Sequence, residues 1–207
     1  MSRLLRESCR LLLALGLIGC TCVAGAEASK KWRPLMDGRT LAGWHAVGDG
    51  KWTVEDGAFV GRANKEKLYG LLFSDATFKD FTVRFKFKAP SGDSGFYIRT
   101  VLKKPDQAHG HQVQVGPPGT GTGKIYESYG RGWLVKPDLA EEKKFLKPNQ
   151  WNEMVISAHG PQIVVYVNGV KTCEVYDEKG RPEGHFALQM HSGCLMEVFF
   201  KDIEIAD

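Results

Sequence analysis

Three stretches of the chain carry polar side chains of one parity in a way that could assemble a binding surface. In Asp93-Ser-Gly-Phe-Tyr-Ile-Arg99, Phe96 and Ile98 read as core, which sends Tyr97 and Arg99 to the other face. In His111-Gln-Val-Gln-Val115 the valines read as core, and Gln112 and Gln114 face away. In His185-Phe-Ala-Leu-Gln-Met-His191 the apolar set is Phe186, Leu188 and Met190, leaving Ala187, Gln189 and His191 opposite. A merely solvated sheet face favours Lys, Glu and Thr. Arg, Tyr, Gln and His together suit a ligand with many hydroxyls. The run Tyr126-Glu-Ser-Tyr-Gly-Arg-Gly-Trp133 adds an acid (Glu127), a cation (Arg131) and aromatics that can stack on a ring (Tyr126, Trp133). Its bland alternative is that Tyr126 and Trp133 plug a sheet edge while Glu127 and Arg131 form a local ion pair contributing under about 1 kcal/mol. His109 and His111, two apart on an extended segment, could hold a divalent metal if a third ligand came from elsewhere. Lone histidines beside glycine are more often surface or hydrogen-bonded residues, and no organic cofactor is expected.

The elements that must position these residues are strands. Phe81-Thr-Val-Arg-Phe-Lys-Phe87 alternates apolar and polar, as do 151–157, 163–167 and 170–176. Asn168-Gly169 between the last two predicts a type I′ hairpin turn. Further strands are expected at 51–55, 58–61, 70–73, 95–100, 111–115, 123–126, 186–191 and 198–205. About twelve strands imply an all-β, two-sheet antiparallel jelly-roll sandwich. One short helix is expected at Pro137 to Lys144. The segments 103–110 and 116–123 break the strand rhythm and read as loops, where sites are commonly built. Gly116 to Lys124 superficially resembles a phosphate-binding loop. Pro118 stands where that pattern needs Gly, Ile125 where it needs Ser or Thr, and no helical pattern follows.

Charge and leader narrow the function classes. The formal charge is +4, and Arg3, Arg6, Arg10 and Glu7 account for +2 of it. The remaining +2 shows no basic stripe, which argues against nucleic-acid binding. A positive start followed by Leu11 to Ile18 reads as an export signal, too short to span a bilayer. Leu17-Ile-Gly-Cys20 offers lipidation at Cys20, and Ala24-Gly-Ala26 offers ordinary cleavage. Either places the protein in the periplasm or at the surface of a bacterium, touching membrane only through a lipid anchor. Residues 1–26 are then leader and linker, and 32–207 form one domain. Of the five cysteines only Cys173 and Cys194 fall in that domain, free or paired.

The order Leu35-Met-Asp-Gly38, Leu41-x-Gly-Trp44, Trp52-x-Val-Glu-Asp-Gly57, Asp93-Ser-Gly-Phe-Tyr-Ile-Arg99, Gly110-His-Gln-Val-Gln-Val115, Val167-Asn-Gly169 and Leu188-Gln-Met-His-Ser-Gly193 resembles the 3-keto-disaccharide hydrolase family. The resemblance covers about residues 32–206 and implies a fold similar to concanavalin A and laminin-G domains. It also implies an exported enzyme that cleaves 3-keto-glycosides by proton abstraction beside the ketone, elimination and hydration. On that reading His191 or Glu127 is the base and Arg99 meets the developing oxyanion. Tyr97, Gln112, Gln114 and Gln189 hold hydroxyls, with Tyr126, Arg131 and Trp133 around them. Two departures stand out: Asp93 replaces a usual Asn, and Gln112 replaces a usual Glu, for which Glu127 is a candidate stand-in. The alternative is a non-catalytic carbohydrate-binding module on the cell surface.

Overall fold

A computed structural model describes residues 31–206 apart from residue 66. The leader, Cys20 and both cleavage sites lie outside the described residues. Fifteen strands run β1 Arg33–Pro34, β2 Trp44–Gly48, β3 Trp52–Glu55, β4 Ala58–Ala63, β5 Gly70–Phe78, β6 Phe81–Ser91, β7 Ser94–Lys103, β8 Gln107–Val115, β9 Ile125–Ser128, β10 Gly132–Trp133, β11 Asn152–His159, β12 Gln162–Val167, β13 Val170–Tyr176, β14 Gly184–Met190 and β15 Met196–Ala206. They form two antiparallel sheets, one ordered β13-β12-β11-β6-β15-β4-β3 with β1 on β15, the other β10-β9-β8-β7-β14-β5-β2. This is the all-β sandwich expected.

The alternation in β6 sets the core. Phe81, Val83, Phe85 and Phe87 are buried between the sheets, and each buried side chain of this size contributes about 1.5–3 kcal/mol. Phe85 stacks on Phe96 of β7 with centroids 4.3 Å apart, so the two sheets interlock through offset rings. The opposite parity of β6 faces water, where Arg84 pairs with Glu204 at 2.7 Å and Lys86 with Asp202 at 2.9 Å. Both Asn168 and Gly169 have positive φ, as the I′ turn between β12 and β13 requires.

Two expectations change. The stretch Pro137 to Lys144 is not a helix beyond one 3₁₀ turn at Glu142–Lys144, because its Glu142 is drawn inward to organise the 116–123 loop. The segment 103–110 is no interruption either, since β7 and β8 extend through it as a hairpin. Cys173 and Cys194 are free thiols, Cys173 buried on β13.

Candidate active site

The outer face of the seven-stranded sheet carries Tyr97 from β7, Gln112 and Gln114 from β8, and Gln189 from β14. Alternation places them there, since Phe96, Ile98, Val113 and Leu188 fill the core. Although they face away from the core, Gln112, Gln114 and Gln189 are only 6, 4 and 4% exposed. Buried amides must find partners, and these find one another. Gln114 Nε2 donates to Asp93 Oδ1 at 2.5 Å, and Gln112 Nε2 donates to Gln114 Oε1 at 3.0 Å and Gln189 Oε1 at 3.2 Å. Gln189 Nε2 donates to the Tyr97 hydroxyl at 2.9 Å, which lies 3.4 Å from Ser128 Oγ. The chain of side chains runs unbroken from a carboxylate to a serine, fixing each rotamer. Gly95, opposite Gln114 in the β7–β8 register, makes room for the Gln112 side chain: a Cβ there would lie 2.4 Å from Gln112 Cγ.

These groups floor a pocket of about 680 Å³. Tyr126 and Trp133 stand on its wall in an edge-to-face pair at 5.4 Å, and His191 and Ser192 close another side. Seven expected residues therefore meet: Tyr97, Gln112, Gln114, Tyr126, Trp133, Gln189 and His191. Burial pushes the Tyr69 phenol up to about 12, and burial holds Tyr97 well above the usual phenol range. Both stay protonated at neutral pH and can donate to an oxyanion.

Three expected residues are elsewhere. Arg99 has φ +48° at a bulge where the register jumps between Ile98 and Val101. The bulge breaks the alternation and swings the side chain off the outer face. Its Nε donates to Lys79 O at 2.8 Å, one Nη to Gly160 O at 2.7 Å, and the other to Asp80 Oδ1 at 3.2 Å. Only 2% exposed, Arg99 ties the β5–β6 turn to the β11–β12 turn and has no part in the pocket. Replacing it with Met is expected to destabilise the protein by about 3–5 kcal/mol, the cost of breaking a buried charged network. The turnover of the remaining folded fraction should match wild type, as read by urea denaturation and active-site-normalised kinetics.

Glu127 and Arg131 are also outside the pocket. In β9, Tyr126 and Ser128 point to the pocket, so Glu127 shares the opposite side with buried Ile125. Its carboxylate takes hydrogen bonds from the Arg131 side chain and from the Arg131 N–H at 2.9 Å. Those bonds hold Glu127 below the usual carboxylate range, the wrong direction for a base. Arg131 also grips Asp177 through two bonds of 2.8 and 2.5 Å, and Asp177 in turn contacts His111 Nε2 at 2.8 Å. His109 stacks on Tyr129 at 4.6 Å and contacts Gln107. The two histidines do not converge, and no three potential metal ligands cluster among the described residues.

Asp93, Tyr69, Asp106, Thr120, Ser128, Tyr129 and Ser192 line the pocket without having been expected there. Asp93 carried a signal, as a carboxylate where the motif has an amide. Ser128 follows from Tyr126 by parity. Tyr69 sits on the loop before β5 and Asp106 on the β7–β8 turn, outside the strands that alternation describes.

Residues 31–206, the whole span that the structure describes, match the model of the 3-keto-alpha-glucoside-1,2-lyase-like domain. The chain belongs to that family. Among solved structures, this lyase-like domain is similar to a "putative glycosyl hydrolase" from Parabacteroides distasonis, with 20% identity over 85% of this chain and 93% of that one and a TM-score of 0.61. It is also similar to the carbohydrate-binding module CBM66 from Bacillus subtilis, with 17% identity over 80% and 96% of the two chains and a TM-score of 0.57. At these identities the likeness is one of fold. No curated protein matches the sequence.

Proposed function

We propose that this lyase-like domain cleaves 3-keto-glycosides in the pocket between Asp93, Tyr97 and His191. The supporting observation is the unbroken Asp93–Gln114–Gln112–Gln189–Tyr97 chain, one carboxylate and four neutral polar groups held in fixed positions suited to a sugar ring, lining one pocket with a histidine. His191 Nδ1 contacts the Ser192 carbonyl, an acceptor only, so that nitrogen carries the hydrogen and Nε2 keeps its lone pair. Nε2 takes the proton from carbon 2, made acidic by the ketone at carbon 3. The electron pair moves into a C2=C3 bond and leaves an oxyanion on carbon 3, which the Tyr69 or Tyr97 hydroxyl meets. The oxyanion collapses, the C1–O bond breaks, and the imidazolium returns its proton to the departing oxygen. Water then adds hydroxyl to carbon 1 and hydrogen to carbon 2, restoring a 3-keto sugar. Asp93, whose backbone carbonyl accepts from His191 N–H at 3.3 Å, ties the histidine's backbone to the polar floor. The reading includes export by the N-terminal leader, with Cys20 as the anchor site.

The purified protein should release aglycone from 3-keto-glucosides but not from the parent glucosides, and in D₂O the product should carry deuterium at carbon 2. Release from unoxidised glucosides, or product without deuterium, would overturn the mechanism. Tight binding of 3-keto-glucosides without release would favour the second reading, a binding module, which the fold shared with CBM66 also supports.

A further inference from the structure

We infer that the pocket sorts glycosides by charge, admitting neutral ones and rejecting those that carry an anionic aglycone, with Asp106 as the discriminating residue. The inference rests on the sugar reading above and goes beyond it in substrate class. Among the described residues two carboxylates, Asp93 and Asp106, line the pocket, no lysine or arginine does, and neither carboxylate has an ion-pair partner. Asp93 is held by the neutral Gln114 amide, and the Asp106 carboxylate has no hydrogen-bond partner among the described residues.

The cations that the motif pattern would bring to the sugar are committed elsewhere. Arg131 is gripped by Glu127 and Asp177, and Arg99 by Asp80 and two carbonyls. Lys103 and Arg181 lie near His109, yet neither contributes a lining side chain. Burial is the main cause that raises both phenols; the neighbouring tyrosines add to it, and the charges of Asp106 on Tyr69 and of Asp93 on Tyr97 add a smaller push in the same direction. A phenolate is a negative charge placed in the pocket, so a carboxylate or phosphate on a ligand meets the same opposition. The field of two uncompensated carboxylates in a partly water-filled cleft lowers affinity for a monoanion by at least about tenfold at low salt. It fades as the screening length shrinks. Asp93 is locked into the amide chain, whereas Asp106 stands on the β7–β8 turn and can change charge without unpicking the floor.

The test uses two 3-keto-glucosides whose aryl aglycones differ only beyond a methylene, one ending in a carboxamide and one in a carboxylate. The leaving-group acidities then stay close. The neutral compound should show a kcat/KM at least about tenfold higher at low salt, with the gap narrowing at high salt and in Asp106→Asn. Binding of both compounds to His191→Ala is measured in parallel, so selection is read even without turnover. Equal kcat/KM and equal binding, or a gap that Asp106→Asn leaves untouched, would overturn the inference. Failure of both compounds to bind or react would instead overturn the reading of the pocket as a sugar site.

Discussion

His191→Ala should lower kcat on a 3-keto-glucoside by about 10²- to 10⁴-fold, the usual contribution of a positioned general base, while the dissociation constant of the same compound stays nearly unchanged. The split follows from geometry. On the proposed reading the amide chain and the phenols hold the ring, and none of them depends on the imidazole, which stands exposed at the pocket rim. Added imidazole should restore part of the lost rate, because an open rim admits a small base to the vacated position. Asp93→Asn should cost less, about ten- to a hundredfold in kcat, since it removes the charge that anchors the amide chain rather than the proton acceptor. Stopped-flow release of a chromogenic aglycone, with binding measured separately, checks both. A His191→Ala protein that turns over at the wild-type rate would remove the histidine from the mechanism. Asp93 would then be the one carboxylate of the polar floor available as base.

Strand alternation made the fold and most of the pocket readable from sequence, and the exceptions have physical causes. The Phe81–Phe87 alternation sets the core because one sheet face is buried and a shift by one residue would expose four aromatic or branched side chains. The same rule placed Gln112, Gln114 and Gln189 on one face. It misplaced Arg99 because a bulge inserts a left-handed residue into β7, and a bulge leaves no compositional mark where the residue is not glycine. Parity also sends Glu127, two residues from buried Ile125 on the same strand, away from Tyr126. Proximity in sequence to Tyr126 and Trp133 made it look like a pocket residue. Asp106 and Tyr69 were illegible for another reason: they reach the pocket from connecting segments 37 residues apart in sequence, which only the closed sandwich brings together. Gln112, which stands where the resemblance implies a glutamate, connects through Gln114 to Asp93, so the polar chain ends on one carboxylate.

Glu142→Ala should be among the most destabilising single changes in the protein, lowering the unfolding free energy by about 3–6 kcal/mol. The reason lies in the Gly/Pro-rich run that superficially resembles a phosphate-binding loop. Successive backbone N–H groups turned inward make an anion cradle, and here the anion is the chain's own side chain. The Glu142 carboxylate, 2% exposed, accepts from the N–H of Gly119, from that of Gly121 at 2.6 Å and from that of Thr122 at 2.8 Å. Removing it strands these donors, and each unsatisfied buried group costs about 1–3 kcal/mol. Glu142→Gln should be milder by about half, because an amide oxygen at the Oε1 position still serves Gly121 and Thr122 and only the Gly119 contact at Oε2 is lost. Urea midpoints at unchanged m-value resolve the difference. The loop also carries Thr120 to the pocket wall, so Glu142→Gln should raise KM for a 3-keto-glucoside while kcat holds. A Glu142→Ala protein within about 1 kcal/mol of wild type would mean that water or another group satisfies the cradle, and that the loop does not owe its shape to the carboxylate.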